Sequence, residues 1–218
     1  MNASERSTFG FELSVADRTP WQRTCKRGID LAGAVSLLLL SAPILAMAII
    51  LVRLSHGAPV FFASTRLGLN GEPFSAWKLR TMRLDAEGWL QDHPELSAQF
   101  HRDAKLNDDP RVTRIGRWLR RTSIDELPQL INVLKGEMSL VGPRVMLPHE
   151  IEHWGSYSST RLSVPQGLTG LWQICARGNP YEARMSLDRE YIENWSLGLD
   201  LWILIRTVPA VLSGRGAV

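Results

Sequence analysis

Residues 31–52 read LAGAVSLLLLSAPILAMAIILV, and no charge interrupts them. The run is long enough for a helix at membrane depth. A soluble core helix apolar on every side over this length would be unusual. A signal peptide is the competing reading, because Ala46-Met47-Ala48 resembles a small-residue cleavage site. About thirty residues precede the run, however, and Ile49 to Val52 carry it past that site, so the segment reads as a membrane element.

Two topologies fit these residues. A spanning helix carries its basic flank chiefly on the cytoplasmic side. Here Arg18, Arg23, Lys26 and Arg27 come before the run, and Arg53, Arg66, Lys78 and Arg80 come after it. Pro43 lies near the middle, where it removes a backbone donor and crowds the carbonyl four residues back. Ser41 is placed to bond a carbonyl freed there. A helix that enters, bends and returns to one face accounts for both the proline and the symmetric flanks. A kinked spanning helix accounts for the proline equally well, and the residues alone leave both open.

Outward from this run, Pro59–Thr65 and Pro73–Leu79 lean towards β structure. Asn70-Gly71 between them favours a tight hairpin turn. Residues 83–107 read as helical, interrupted at Pro94, with Trp89, Leu96 and Phe100 as a buried stripe and no assigned chemistry. In RVTRIGRWLRR, residues 111–121, a helix puts Val112, Ile115, Trp118 and Leu119 on one face and Arg114, Arg117, Arg120 and Arg121 on the other. Guanidinium matches phosphate with two parallel bonds, so such a face suits phosphates or lipid headgroups; a solvated basic face is the plainer reading for most of these arginines.

Ser123-Ile124-Asp125-Glu126 has the spacing of a helix capping box. Leu127, Leu130, Ile131 and Leu134 then recur at helical spacing, and Gly136 can end the helix. Asp125 and Glu126 therefore fall at a helix start, which favours a carboxylate in its ionised form and the anion it meets. Capping alone explains an acid there. The acids stand out because arginines lie just upstream and Gly142-Pro143-Arg144 just downstream. Near the C-terminus Trp172, Tyr191, Trp195, Trp202 and the run Leu201–Ile205 suit either an interfacial helix or ordinary core packing. Asp200 and Arg206 bound that run, which is too short to span.

The chain has 218 residues, 44% of them apolar, enough for one domain plus an anchor and too many for a disordered tail. A pI near 9.1 suits an anionic membrane surface, a phosphorylated substrate or nucleic acid. Two distant cysteines, Cys25 and Cys175, form neither a disulfide framework nor a zinc spacing. They fit a reducing compartment. A non-catalytic basic membrane adaptor would explain the anchor and the arginines, but not an acidic pair between arginine blocks. A nucleic-acid binder is set aside because the basic helix adjoins a membrane-like segment.

Several stretches resemble the bacterial sugar transferases, the monotopic phosphoglycosyl transferases. They are Lys26-Arg27-Gly28-Ile29-Asp30, PVFFASTRLGLNGEPF at 59–74, KLRTM at 78–82, DPRVTRIGRWLRRTSIDELPQLINVLKGEMSLVGPR at 109–144 and GLTGLWQ at 167–173. DELPQ and LVGPR at this separation make a specific pattern. The resemblance implies an α+β fold, mostly helical: a tail at 1–22, a re-entrant membrane helix at 23–55 bent near Ser41 and Pro43, and a cytosolic catalytic domain at 56–218 with a β-hairpin and interfacial amphipathic helices.

The resemblance also implies a reaction. A hexose-1-phosphate passes from a UDP-sugar to undecaprenyl phosphate at the bacterial inner membrane, giving undecaprenyl-diphosphate-sugar and UMP. It carries Asp125 over as nucleophile and magnesium ligand and Glu126 as its partner, with Mg2+ as cofactor. Lys78, Arg80, Arg120 and Arg144 match positions expected to hold phosphates or brace the site. The physics agrees, because a diphosphate needs cations before a carboxylate can attack its phosphorus, and Asp is a known phosphoryl nucleophile. GLTGLWQ and TVPAVLSGRG resemble the exopolysaccharide-priming branch, which favours UDP-glucose or UDP-galactose. Membrane lipid is a further partner, nucleic acid is not, and self-association into a homo-oligomer stays open. Three departures stand out: Ser41-Ala42-Pro43 splits the usual Ser-Pro pair, Gln166 separates Pro165 from Gly167, and Cys175-Ala176 replaces Ser-Gly. The last two are expected near the sugar-nucleotide region.

Overall fold

A computed structural model describes residues 19–103, 106, 108–151, 155–175 and 181–213. The first 18 residues, most of the expected tail, lie outside the described residues, as do Ala176 and residues 214–218, which include Gly214-Arg215-Gly216. The architecture is mostly helical, with two small two-stranded sheets.

Helix α1, Pro20–His56, contains the whole apolar run. Thr19 and Gln22 form a capping box at its start, and Pro20 occupies the first turn, where a missing N–H costs nothing. The helix continues through Pro43. The carbonyl that Pro43 frees belongs to Leu39, yet the Ser41 hydroxyl donates to Leu37 O at 2.6 Å. Ser41 thus makes the ordinary bond of a helical serine to the carbonyl four residues back, not the expected bond to the freed group.

Both ends of α1 dock on one body. At the N-terminal end Lys26 Nζ donates to Val141 O at 3.0 Å and to Asp200 Oδ2 at 2.8 Å. Asp30 Oδ1 accepts from Leu140 N and the Ser139 hydroxyl, each at 2.9 Å. Tyr191 and Trp195 complete the shell of Asp200, at 2.7 and 3.1 Å. Every charge here is buried and partnered, so removing one partner would cost about 3–5 kcal/mol. At the other end Ala48 and Val52 pack fully buried against Leu79 and Leu119. Between these ends Leu39, Leu40 and Met47 are 72%, 77% and 63% exposed. Polar solvent would not favour that surface.

Strands β1, Phe61–Leu67, and β2, Pro73–Leu79, pair antiparallel. The turn is a five-residue loop, not the expected two-residue one; Asn70 and Gly71 still take the left-handed conformation, at φ 57° and 80°. Pro94 splits the next segment into α2, Ala86–Gln91, and α3, Pro94–Asp103. Leu90 and Leu106 are buried among the described residues of that segment, while Trp89, Leu96 and Phe100 are only half-buried.

Helix α4, Arg114–Thr122, is shorter than expected because Val112 is extended and bridges Met82. Leu119 is fully buried, but Trp118 is 48% exposed and Arg120 turns inward. The capping box at 123–126 does not form. Ser123 instead ends α4 in the left-handed conformation, φ 56°, and residues Ile124–Gln129 make a 3₁₀ turn. Helix α5, Leu130–Lys135, follows, and Gly136 stops it at φ 87°. Ile131 points outward, and the inner positions fall to Leu130, Asn132 and Val133.

Strands β3, Ser139–Val141, and β4, Gly167–Thr169, pair in parallel and bring LVGPR against GLTG. A Cβ on Gly142 would lie 2.5 Å from Pro165 O, and one on Gly167 2.1 Å from Gly142 N. Only glycine allows these backbones to meet. The core centres on Leu130, Val133, Met138, Leu140, Val141 and Tyr191. The helices Tyr181–Glu193 and Leu197–Ser213 close it. The last buries Asp200 and Ile203 and leaves Ile205, Val208 and Leu212 exposed at 71%, 59% and 82%. Core packing and an exposed apolar face thus coexist on one helix.

Candidate active site

The segment Lys78–Met82 is the spine of the site. It leaves β2 and passes under α4, where a Cβ on Gly116 would lie 2.0 Å from Thr81 O. Thr113 N donates to that same carbonyl at 3.0 Å, which fixes the start of α4. Arg120, two turns along from Thr113, then donates from Nε to Thr81 Oγ1 at 3.0 Å. Its side chain lies against the 3₁₀ turn that follows.

That turn presents the acidic pair. Asp125 is 6% exposed, and Glu126 is half-buried. Lys78 Nζ meets Glu126 Oε1 at 2.5 Å. Burial pushes the Asp125 carboxyl up to about 6; the Glu126 charge adds to this, and Lys78, Arg120 and a backbone bond pull against it. The expectation that a helix start would favour the ionised form is overturned. The turn is short, and desolvation outweighs its N–H groups. Burial also lowers the Arg120 pKa, while the Asp125 and Asp109 charges oppose the shift.

Lys78, Arg120, Asp125 and Glu126 therefore come together. Arg80 stands apart, with its Nη2 donating to His56 O at 2.5 Å and Gly57 O at 3.1 Å. It braces the C-terminal end of α1, where a cation meets unsatisfied carbonyls. Arg144 joins the site through Arg66, whose pKa is lowered by burial and then by the Arg144 charge, with Glu150 and Glu126 opposing. The Arg144 guanidinium lies 5.2 Å from the Trp172 ring centroid. Ser41 and Pro43 lie in the exposed middle of α1. Gln166 is fully buried; its Nε2 donates to Arg161 O and Val164 O at 3.1 Å, while its Oε1 is buried without a hydrogen-bond partner among the described residues.

Sequence reasoning missed Arg66 as a site residue, although strand alternation carried the signal. Arg66 pairs with Phe74 and Phe62 with Lys78, so Arg66 and Lys78 share one face of the hairpin. It also missed Asn132, whose Nδ2 donates to Ser75 O at 2.8 Å and ties α5 to β2. No spacing rule marks that residue.

The bacterial sugar transferase family matches residues 21–214. The exopolysaccharide production protein ExoY of Rhizobium meliloti is 41% identical over 197 residues, covering 88% of this chain and 87% of that protein. The UDP-glucose:undecaprenyl-phosphate glucose-1-phosphate transferase of Caulobacter vibrioides is 42% identical over 204 residues, covering 88% of this chain and 71% of its own. The UDP-galactose-lipid carrier transferase of Erwinia amylovora is 41% identical over 200 residues, covering 89% of this chain and 42% of its own. The chain belongs to the bacterial sugar transferase family and is a transferase enzyme.

Proposed function

We propose that the chain transfers a hexose-1-phosphate, glucose or galactose, from its UDP-sugar to undecaprenyl phosphate. The observation that carries this is the buried Asp125 beside Glu126, faced by Lys78 and Arg120. The names of the relatives from Caulobacter and Erwinia favour the same donors and carrier. In the first half-reaction an Asp125 carboxylate oxygen attacks the sugar-bearing phosphorus. The bond from that phosphorus to the bridging oxygen breaks, and UMP leaves with the oxygen and its electron pair. In the second, an oxygen of the lipid phosphate attacks the same phosphorus. The aspartyl–phosphorus bond breaks, which restores Asp125 and gives undecaprenyl-diphosphate-sugar. Lys78, Arg120, Arg66 and Arg144 hold and neutralise the phosphates, and Glu126 orients Lys78.

Among the described residues no group of three or more His, Cys, Asp or Glu side chains could hold a metal. Magnesium needs fewer, since it binds through one or two carboxylates together with substrate phosphates and water. Asp125 and Glu126 fit that pattern, because their mutual repulsion is part of what raises Asp125 and a cation would relieve it. They would hold the ion, which supplies charge neutralisation at the diphosphate.

The re-entrant anchor belongs to the same reading. Ala34 and Ala48 are both buried against one domain. Even a straight helix between them covers only about 21 Å, less than the roughly 30 Å of a bilayer's hydrocarbon core. No bilayer fits between those two contacts. This supports a helix that enters and leaves by one face of the inner membrane, the cytosolic one in this reading, with the exposed apolar face of Leu197–Ser213 at the interface. The test is a panel of UDP-sugars assayed with undecaprenyl phosphate in detergent. UMP release with UDP-glucose or UDP-galactose is expected; none with any UDP-sugar would reject the reaction.

A further inference from the structure

Behind Arg144 lies an ion pair that the chemistry above does not use. Arg161 and Asp188 are each 3% exposed or less, and Arg161 Nη2 donates to Asp188 Oδ2 at 3.0 Å. The same Nη2 donates to Arg144 O. Asp188 in turn accepts from Arg144 N, at 3.3 and 3.4 Å to its two oxygens. One buried pair thus grips both the N–H and the carbonyl of a single residue. Two helices supply it, Ser158–Leu162 and Tyr181–Glu193.

The Tyr181–Glu193 helix reaches Arg144 a second way. Arg184 lies four residues before Asp188, one turn away on the same helix face. Its guanidinium is 5.2 Å from the Trp172 ring centroid, the same distance as that of Arg144. Asp188 therefore fixes the backbone of Arg144 while Trp172, flanked by Arg184, supports its side chain. Two residues further on, Leu67 N donates to Met146 O at 2.9 Å, which anchors the segment to the hairpin that carries Arg66. A long cationic side chain loses up to about 2 kcal/mol of rotamer freedom when ordered. The Trp172 ring against the guanidinium removes part of that cost before substrate arrives, and the held backbone fixes the point from which the side chain extends.

We infer that Arg161 and Asp188 form a positioning pair that presets Arg144 for the diphosphate of the nucleotide sugar. The inference rests on Arg144 being a phosphate-binding residue. It makes a specific claim: the pair affects turnover only through Arg144.

A double-mutant cycle on the full-length enzyme in detergent tests this. Asp188→Asn alone leaves Arg161 buried with a weakened partner and risks the fold. The second variant, Arg161→Met with Asp188→Leu, replaces the whole pair by apolar side chains of similar size and leaves no uncompensated buried charge, at the cost of the two hydrogen bonds to the Arg144 backbone. Thermal unfolding verifies that it is folded. The expected result is a rise of about tenfold or more in KM for the UDP-sugar, the scale of a lost supporting partner, with KM for undecaprenyl phosphate unchanged. In an Arg144→Ala background the same replacement should cost less than about twofold. An equal loss in both backgrounds would mean a general structural role and would overturn the pair's function while leaving Arg144's intact. Full activity of Arg144→Ala would overturn both.

Discussion

At the residue scale the molecule turns on a carboxylate kept in the wrong solvent. Asp125 is buried, and its pKa stands at about 6 against an ordinary 3.8. Between those values the folded state holds a proton that the unfolded chain has released, so this group's contribution to stability is full below 3.8 and is lost as pH rises through about 6. In magnesium-free buffer, Asp125→Asn should therefore gain stability over wild type across that window, by roughly 1–3 kcal/mol. A Tm difference independent of pH would contradict the assignment. The same substitution should lower turnover at least about 10⁴-fold. Intact-protein mass spectrometry with UDP-sugar alone should find a sugar-phosphate adduct on wild type and none on the variant. Undiminished turnover in Asp125→Asn would sink covalent catalysis there. EDTA should stop the reaction and magnesium restore it; unchanged activity after exhaustive chelation would remove the ion from the site.

At the element scale, local chemistry was legible where one residue decides the backbone, and illegible where a neighbour does. Asn70-Gly71 and Gly136 took the left-handed conformations their side chains permit. The capping box failed because Ser123 was already committed to ending α4. The arginine face of α4 was read one residue set too wide. Val112 leaves the helix to bridge Met82, and helical spacing places Arg120 beside the buried Gly116 and Leu119, where it reaches Thr81, while Trp118 falls on the far side. The acidic pair and its basic neighbours were visible as sequence blocks, but the clamp of Arg161 and Asp188 spans elements that no periodicity links. Gly142 tests the element-level packing most directly. An added methyl would meet backbone atoms of Pro165 and Gly167 at 2.5 and 2.7 Å, which cannot move aside cheaply. Gly142→Ala should cost about 1–3 kcal/mol, seen as a Tm lower by roughly 2–10 °C. A Tm within one degree of wild type would show that β3 and β4 can separate without penalty.

At the scale of the whole molecule, the proposed reaction requires a soluble donor and a membrane-bound acceptor to reach one aspartate. The 3₁₀ turn that carries Asp125 follows α4, and Ile124 of that turn packs in the same cluster as Ala48 and Val52 of α1. The carboxylate proposed as nucleophile is thus tied to the long apolar helix itself, so on that reading the depth of the anchor sets the depth of the site. That arrangement works only if both ends of α1 stay on the donor's side. The basic flank argues likewise, because Arg23, Lys26 and Arg27 would otherwise sit on the disfavoured face, and Lys26 and Arg27 are committed to Asp200, Val133 and Leu134 of the catalytic domain. Accessibility in intact cells decides it. With Cys25 and the exposed Cys175 both changed to Ser, Pro20→Cys places one thiol at the exposed start of α1. A membrane-impermeant maleimide should leave it unlabelled until the inner membrane is opened. Labelling from the periplasm would establish a spanning helix instead. Pro43→Leu restores a helical hydrogen bond and should straighten the apolar segment. Yet the buried contacts of Lys26 and Asp30 at one end and Val52 at the other oppose any spanning geometry, so position 20 should remain protected in that variant unless those contacts are broken too.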